Sequence, residues 1–457
     1  MSIKTNITAV KSRLIIFQLM TMAGFILIAF ALIYWSIISG PNILTRDDNP
    51  RLIEEELSIQ RGSILDANNV ALAETLIQED DLRRHYPVEG MGPVVGYYSL
   101  RHGTAGVESS FDPLLRGDID DFWSDFWRRT QHQNQVGSDV QLTVDARLQQ
   151  MAATLIDDEK GAIILFSLPE AKIKAMVSSP SFDPNLLDEQ FDELVADEEA
   201  PLINRVTQGQ YQPGMVLQPF IIASALDSGI ISMEQLIEGA DEPIVVNGTV
   251  LQCNEPVNIQ ATWIETLLSQ CPAAMTQLAT RLGEEGLSEI FSKFGFTVAP
   301  NLEIETEVGD GLTISDIQMA AIGQDNLSVS PLQVGMALAT LANNGELPNP
   351  QLVTATEDVK GNWVPVESQP STTQVIDSET AQLLLKSFTH KNEIAEDQIM
   401  VLSGPEGTTN AWYLGLIPGD SPSYGIVVVI EGQENSETAV QIGRKMLMAA
   451  SDLSGGA

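Results

Sequence analysis

Residue types that could form and break covalent bonds are the first feature to place in this chain. No serine is followed three residues later by a lysine, and no Lys-Thr-Gly or Lys-Ser-Gly triplet occurs. The chain also has no Gly-x-Ser-x-Gly elbow, P-loop, Gly-x-Gly-x-x-Gly or His-Glu-x-x-His pattern. Such patterns position nucleophiles, phosphates, dinucleotides and zinc in the enzymes that use them. No standard catalytic motif is therefore encoded.

Metal and cofactor sites are not indicated either. The four histidines are scattered without metal-ligand spacing, so we expect no zinc site and no cofactor; they are His85, His102, His132 and His390. The acidic run 187–199 could bind a divalent cation, but it lacks calcium-loop spacing. A solvated helix or loop is the favoured interpretation of that run.

The two cysteines, Cys253 and Cys271, allow two interpretations. An oxidising compartment would let them pair as a disulfide. They could equally be buried free thiols, because a sequence does not give the distance between them.

The N-terminus carries a membrane signal. Residues 14–38 form an uncharged, mainly apolar run of 25 residues, longer than the roughly 30 Å hydrocarbon core requires. No small-residue cleavage pattern follows it, so an uncleaved anchor is predicted. Lys4, Lys11 and Arg13 precede the run, which predicts a cytoplasmic N-terminus and an extracytoplasmic bulk.

The composition limits the partners. The chain has 457 residues with 24 Lys plus Arg and 62 Asp plus Glu, for a net charge of −38. Such a surface repels phosphate backbones, so nucleic acid is excluded as the main partner. A solvated, aggregation-resistant surface is the favoured explanation of the acidity.

The pattern of elements predicts an α+β fold. After a charged connector and a small β-containing or irregular module, a strand at 140–144 precedes an amphipathic helix starting near Asp145. Two antiparallel strands follow at 161–167 and 172–178, helices dominate 214–345, and two strands and a helix end the chain. An aromatic stripe at 121–130 is interpreted as core. A sheet assembled from both ends of the chain is predicted.

Several segments, in order, resemble the class B penicillin-binding proteins, the membrane-anchored transpeptidases of peptidoglycan synthesis. The matching stretches include Arg61-Gly62-Ser63-Ile64-Leu65-Asp66, Gly106-Val107-Glu108, Leu142-Thr143-Val144-Asp145, Ser181-Phe182-Asp183-Pro184-Asn185, Gly323-Gln324 and Ser330-Pro331-Leu332-Gln333. The resemblance implies a cytoplasmic tail (1–13), an anchor (14–38), a connector with a pedestal module (39–139) and a transpeptidase-like domain (140–457).

All three catalytic motifs of that family are degenerate at the positions that resemble them. In the first, S-x-x-K, the frame Tyr211-Gln212-Pro213-Gly214 and Pro219-Phe220 is kept, while Met215 and Gln218 replace serine and lysine. A thioether cannot form a stable ester, and an amide is no base near neutral pH.

The second and third motifs are also changed. In S-x-N, Gln270 and Pro272 replace serine and asparagine. In K-T-G, Pro405 and Glu406 replace lysine and threonine, while Gly407 and Thr408 remain. The resemblance implies that Glu406 would repel a substrate carboxylate where the family binds one. Gly214, Gly407 and Thr408 are the candidate remnants of the substrate cleft.

The sequence therefore predicts an inactive, transpeptidase-like membrane protein of peptidoglycan synthesis or cell division. Its expected partner is an active penicillin-binding protein or a polytopic glycosyltransferase, with noncovalent peptidoglycan contact as a further possibility. Two alternatives stay open: an enzyme with a different nucleophile (Ser269, Ser403 or Cys271), and a noncovalent sensor of muropeptides or β-lactams.

Overall fold

A computed structural model describes residues 3–35, 56–78, 81–118, 135–358, 360–366, 373–403 and 407–455. The chain divides into two units. One contains the N-terminal helix, and the other contains residues 60–78 and everything after residue 82. The aromatic stripe at 121–130 and the residues Pro405 and Glu406 lie outside the described residues.

The N-terminal unit is built on one long helix, Ile3–Ile33. Its segment Arg13–Ile33 is long and apolar enough to cross a membrane. The helix begins before the predicted anchor, residues 36–38 lie outside the described residues, and its orientation across a membrane stays a prediction.

The second unit contains a six-stranded sheet assembled from both ends of the chain, as predicted. Its strand order across the sheet is Thr389–Lys391, Ile394–Leu402, Thr409–Ile417, Tyr424–Ile430, Gly161–Ser167 and Lys172–Ser179. The described pairings between neighbours are antiparallel. Tyr424–Ile430 is almost entirely apolar and buried, which is typical of a central strand covered on both faces.

Helices cover the two faces of this sheet. Ala146–Ile156 and Glu437–Gly455 share one apolar cluster with the first face. Gln218–Asp227 and Pro331–Ala342 contribute to the larger cluster on the opposite face. The helix predicted to start near Asp145 begins at Ala146, because the Asp145 carboxylate caps it by accepting from the Arg147 backbone N–H.

A second six-stranded sheet forms the pedestal. Its strand order is Trp363–Pro365, Val353–Glu357, Val140–Leu142, Ile64–Leu65, Ala71–Gln78 and Asp81–His85. It joins strands from both sides of the boundary predicted at 139/140, so the pedestal and the transpeptidase-like region share this sheet.

A buried ion cluster lies next to that sheet. The Glu108 carboxylate accepts from Arg61 Nη2 (2.8 Å) and from Arg84 Nε (2.6 Å). Glu108 is fully buried, and two charge-assisted hydrogen bonds offset the cost of burying its charge.

Shorter elements complete the described part of the chain. The helices are Gly92–Val95, Gly106–Ser110, Asp112–Arg116, Leu187–Ala196, Trp263–Leu268, Pro272–Lys293, Ile317–Ala321 and Ser378–Ser387. The small two-stranded sheets pair Tyr97–Ser99 with Gly103–Ala105, Leu236–Glu238 with Gln260–Thr262, Ile244–Val246 with Thr249–Leu251, and Glu346–Leu347 with Thr373–Gln374.

Candidate functional site

Met215 and Gln218, the inert pair, lie where a short 3₁₀ turn enters the central helix. The turn is Gly214–Leu217 and the helix is Gln218–Asp227. Met215 is 9% exposed and Gln218 is fully buried. Gln218 Nε2 donates to the Thr266 carbonyl at 3.0 Å, and no hydrogen-bond partner for its Oε1 is found among the described residues. The inert pair offers neither a nucleophile nor a base.

Close backbone packing holds the turn in place. Gly214 N–H donates to the Gly323 carbonyl at 3.1 Å. Both glycines have positive φ, and a Cβ on Gly323 would lie 2.4 Å from Gly214 N. A Cβ on Gly214 would lie 2.6 Å from Val401 Cγ1. The turn therefore packs directly against the strand Ile394–Leu402, here called the cleft strand.

Gln270 lies between the helices Trp263–Leu268 and Pro272–Lys293, the position predicted for the second motif. Its φ is +50°, and the next residue, Cys271, precedes the first residue of the second helix. Cys271 is disulfide-bonded to Cys253, which decides between the two interpretations of the cysteines. Asn254 Nδ2 donates to Gln270 Oε1 at 2.5 Å, so the disulfide and Asn254 together fix the Gln270 side chain.

The Gln270 side chain reaches the cleft strand. Its Nε2 donates to Asp397 Oδ1 at 2.6 Å and to the Gln398 carbonyl at 2.9 Å. Burial raises the pKa of Asp397 to about 6 from its ordinary 3.8, and the Gln270 hydrogen bond only partly opposes that rise. A carboxyl group, rather than an ammonium, is thus the ionisable group at this point of the cleft.

Strand alternation places Asp397 on the same face as the inert pair. Asp397, Ile399 and Val401 are two residues apart, so their side chains share a face; Ile399 and Val401 belong to the same apolar cluster as Met215. Glu396, which precedes Asp397, instead accepts from Tyr413 OH at 2.9 Å on the other face.

Two glutamine side chains occupy the outer edge of the cleft strand. On the outer edge, the strand Thr389–Lys391 pairs with Ile394–Glu396. From Asp397 onward, that outer edge has no strand partner in the described part of the chain. Gln270 caps the Gln398 carbonyl, and Gln324 Nε2 donates to the Leu402 carbonyl at 3.3 Å. The chain's own side chains therefore take part of the edge that an added peptide strand would use.

Gly407 and Thr408, the remnants predicted for the third motif, lie where the chain turns between two strands. Thr408 O accepts from Ser403 N–H at 2.8 Å, immediately beyond the cleft strand. A Cβ on Gly407 would lie 3.7 Å from Thr249 Oγ1. The described hydrogen bonds of the Gln270 side chain are with Asn254, Asp397 and Gln398, not with this turn.

No hydrogen bond joins Ser269 or Ser403 to a basic side chain among the described residues. Ser269 is buried, and Cys271 has no free thiol. Ser403 Oγ accepts from Asn410 Nδ2 at 3.0 Å and shares a cavity of about 620 Å³ with Lys160. Hydrogen bonding to Glu199 raises the pKa of Lys160, so this amine stays protonated and cannot accept the serine proton.

That polar cavity is centred on Glu431. The Glu431 carboxylate accepts from Tyr211 OH at 2.9 Å and pairs with Arg205 Nε at 3.3 Å. Burial, with the Glu431 charge, raises the pKa of Tyr211. These charges neutralise one another within the protein.

Comparisons with known proteins match this architecture along most of the chain. Residues 161–448 match the penicillin binding protein transpeptidase domain. The chain belongs to this family. Residues 61–140 match the penicillin binding protein A dimerisation domain, so the pedestal also has its counterpart in the family.

The chain is similar to several peptidoglycan D,D-transpeptidases. It is 27% identical over 456 residues to PbpA of Mycolicibacterium smegmatis, covering 88% of this chain and 91% of the relative. It is 25% identical over 298 residues to MrdA of Escherichia coli, covering 59% and 47%. The crystal structure of PBPA from Mycobacterium tuberculosis superposes with a TM-score of 0.78 at 25% identity, covering 86% of this chain and 99% of that one.

Two residues at the site, Asp397 and Gln324, have roles that the sequence did not predict. Gln324 belongs to a segment that resembles the family, but no role is predicted for it. No role is predicted for Asp397 either, because Ser403-Gly404-Pro405-Glu406-Gly407-Thr408 resembles the third motif by residue type. The period-2 apolar pattern at Ile399 and Val401 was the available signal for a buried strand face that includes Asp397.

Proposed function

We propose that this chain is a non-catalytic member of the peptidoglycan-synthesis machinery, anchored in the cytoplasmic membrane with a cytoplasmic N-terminus and its bulk outside. The observation that carries the proposal is the inert pair: Met215 and Gln218 are buried at the start of the central helix, and Gln218 is tied to Thr266. Acylation needs a hydroxyl and a proton acceptor at those two positions.

The role that fits this chemistry is that of a scaffold or regulator. Its partner would be an active penicillin-binding protein or a polytopic glycosyltransferase. The fold retains the pedestal and the sheet, whereas Met215 and Gln218 replace the reacting groups of the first motif. This combination is expected of a protein that acts by binding partners through its surface. Co-purification of the intact, detergent-solubilised protein with its partner tests this role directly.

A fluorescent penicillin tests the loss of catalysis. Penicillin-binding protein A of M. tuberculosis, which forms an acyl-enzyme complex with penicillin G, is the positive control. We expect no fluorescent band for this chain after denaturing electrophoresis, whereas the control is labelled. A band that survives denaturation refutes the proposal.

The sensor alternative is less favoured than the scaffold. Gln270 and Gln324 cap the edge of the cleft strand, so a stem peptide would have to displace them. Titration calorimetry of the full chain with a stem pentapeptide separates these functions: a scaffold gives no heat of binding, whereas a sensor binds.

An enzyme with a different nucleophile is also less favoured. The candidates Ser269, Ser403 and Cys271 lack a suitable base or a free thiol, as described above. Release of D-alanine from a pentapeptide, abolished by substitution of one of these residues, would establish such an activity and overturn the scaffold proposal.

A further inference from the structure

Three contacts of the first two motif positions indicate which part of the cleft strand lies beside them. Gln218 is bonded to Thr266 O, the same carbonyl that accepts from Cys271 N–H at 3.0 Å. Gln270, next to Cys271, reaches Asp397. The second motif position therefore meets the cleft strand at Asp397, before the turn, and the Thr266 carbonyl joins the first motif position to the second.

The strand geometry agrees with this placement. Val401 contacts the position of Gly214, and Asp397 follows on the same face about 13 Å along an extended strand. Gly407 and Thr408 lie beyond the end of the strand, on the far side of Val401 from Gln270. A ligand held between the inert pair and Gln270 would meet Asp397.

We infer that Asp397 is the specificity-determining residue of the cleft and makes it reject carboxylate-bearing ligands. This inference rests on the proposed function, because it concerns a cleft without acylation. Asp397 lies on the face of the cleft strand that packs against the turn of the inert pair, where the strand edge has no strand partner in the described region, and Gln270 holds its carboxylate in place. An anionic ligand at this edge would be placed beside a like charge that is partly shielded from water, where electrostatic interactions are stronger than in bulk water.

Calorimetry of the full chain in detergent with benzylpenicillin and its methyl ester tests the inference. The two compounds differ in one carboxylate, which is esterified in the second. The ratio of their affinities therefore reports the effect of the ligand's negative charge separately from the fit of its rings and side chain. For the wild type, a scaffold, we expect both compounds to bind only weakly, and the ester to bind better than the acid. For Asp397→Lys we expect the ratio to shift toward the acid by at least about tenfold, since the charge at this point is reversed.

Two further variants keep the result decisive. Asp397→Asn removes the charge with little change in shape, and we expect it to shift the ratio in the same direction by a few-fold. Glu406→Lys makes the same charge reversal at the position predicted from the sequence, and we expect the wild-type ratio.

Three outcomes overturn the inference. The first is an unchanged affinity ratio in both Asp397 variants, and the second is a larger shift of the ratio in Glu406→Lys than in Asp397→Lys. The third is no measurable binding of either compound by Asp397→Lys, because Asp397 would then not be the barrier to binding. Covalent capture by the wild type would instead refute the proposed function, so the two failures are distinguishable.

Discussion

Replacing Asp397 with asparagine should stabilise this protein above pH 6 and leave it unchanged near pH 4. Burial raises the pKa of Asp397 to about 6, so the folded state favours the protonated carboxyl. Its contribution to stability is fully present below the unfolded-state pKa of roughly 4 and is lost as the pH rises through about 6. Asparagine stays neutral throughout and can still accept the Gln270 hydrogen bond.

The magnitude follows from the size of the shift. A rise of about two pKa units corresponds to nearly 3 kcal/mol at most, at about 1.36 kcal/mol per unit. Because the residue is partly exposed, solvent screening reduces the expected gain to about 1–2 kcal/mol. With an unfolding entropy of about 2 cal/mol/K per residue over some 400 residues, the melting temperature rises by roughly 1–3 °C.

Thermal unfolding of the full chain in detergent, measured from pH 4 to pH 8, checks this prediction. The other carboxyl groups titrate in both proteins, so the difference between them isolates Asp397. The matched control is Asp358→Asn. Backbone N–H donation from Asn362 lowers the pKa of Asp358, so its replacement should reduce stability at neutral pH and have no effect in acid. A loss of stability in Asp397→Asn at pH 7.5, or a difference independent of pH, would refute the reasoning.

Three other experiments test the site by substitution. Gly323→Ala should lower the free energy of unfolding by about 3 kcal/mol or more, because its Cβ would overlap the Gly214 backbone. The control Gly248→Ala, at positive φ in open space, should lower it by about 1 kcal/mol. Equal losses in thermal unfolding would contradict the packing. Replacing Cys253 and Cys271 by alanine opens a loop with a sequence separation of 18 and should lower stability by about 3 kcal/mol; an unchanged melting temperature would contradict the role of the disulfide. Met215→Ser with Gln218→Lys should still give no fluorescent-penicillin adduct, because Asp397, Gln270 and Pro272 remain; labelling of that double variant would show that the inert pair is the only block.

Much of the fold could be predicted from local patterns. The strands Gly161–Ser167 and Tyr424–Ile430 are apolar runs of the right length, and the assembly of one sheet from both chain ends follows from the order of elements. The sequence predicted a domain boundary at 139/140, but it did not predict that Val140–Leu142 and Val353–Glu357 pair in the pedestal sheet. Local patterns do not indicate a pairing between strands so far apart in the sequence.

The site was predictable where the frame around it is preserved. Pro213 and Phe220 flank the inert pair, and its position was predicted because this frame resembles that of the family. The third position that we infer, Asp397, could not be predicted in this way, because Gly407 and Thr408 reproduce residue types of the motif beyond the end of the cleft strand. The inference depends on the Gln270–Asp397 hydrogen bond, which is a tertiary contact.

The most direct test of the central claim is the intact mass of the full chain after prolonged incubation with excess benzylpenicillin. An active relative treated in parallel should gain the mass of one penicillin through a serine ester. This chain should keep its unmodified mass, because Met215 and Gln218 supply neither nucleophile nor base. A stoichiometric gain of one penicillin, mapped to any residue of the cleft, would contradict the account.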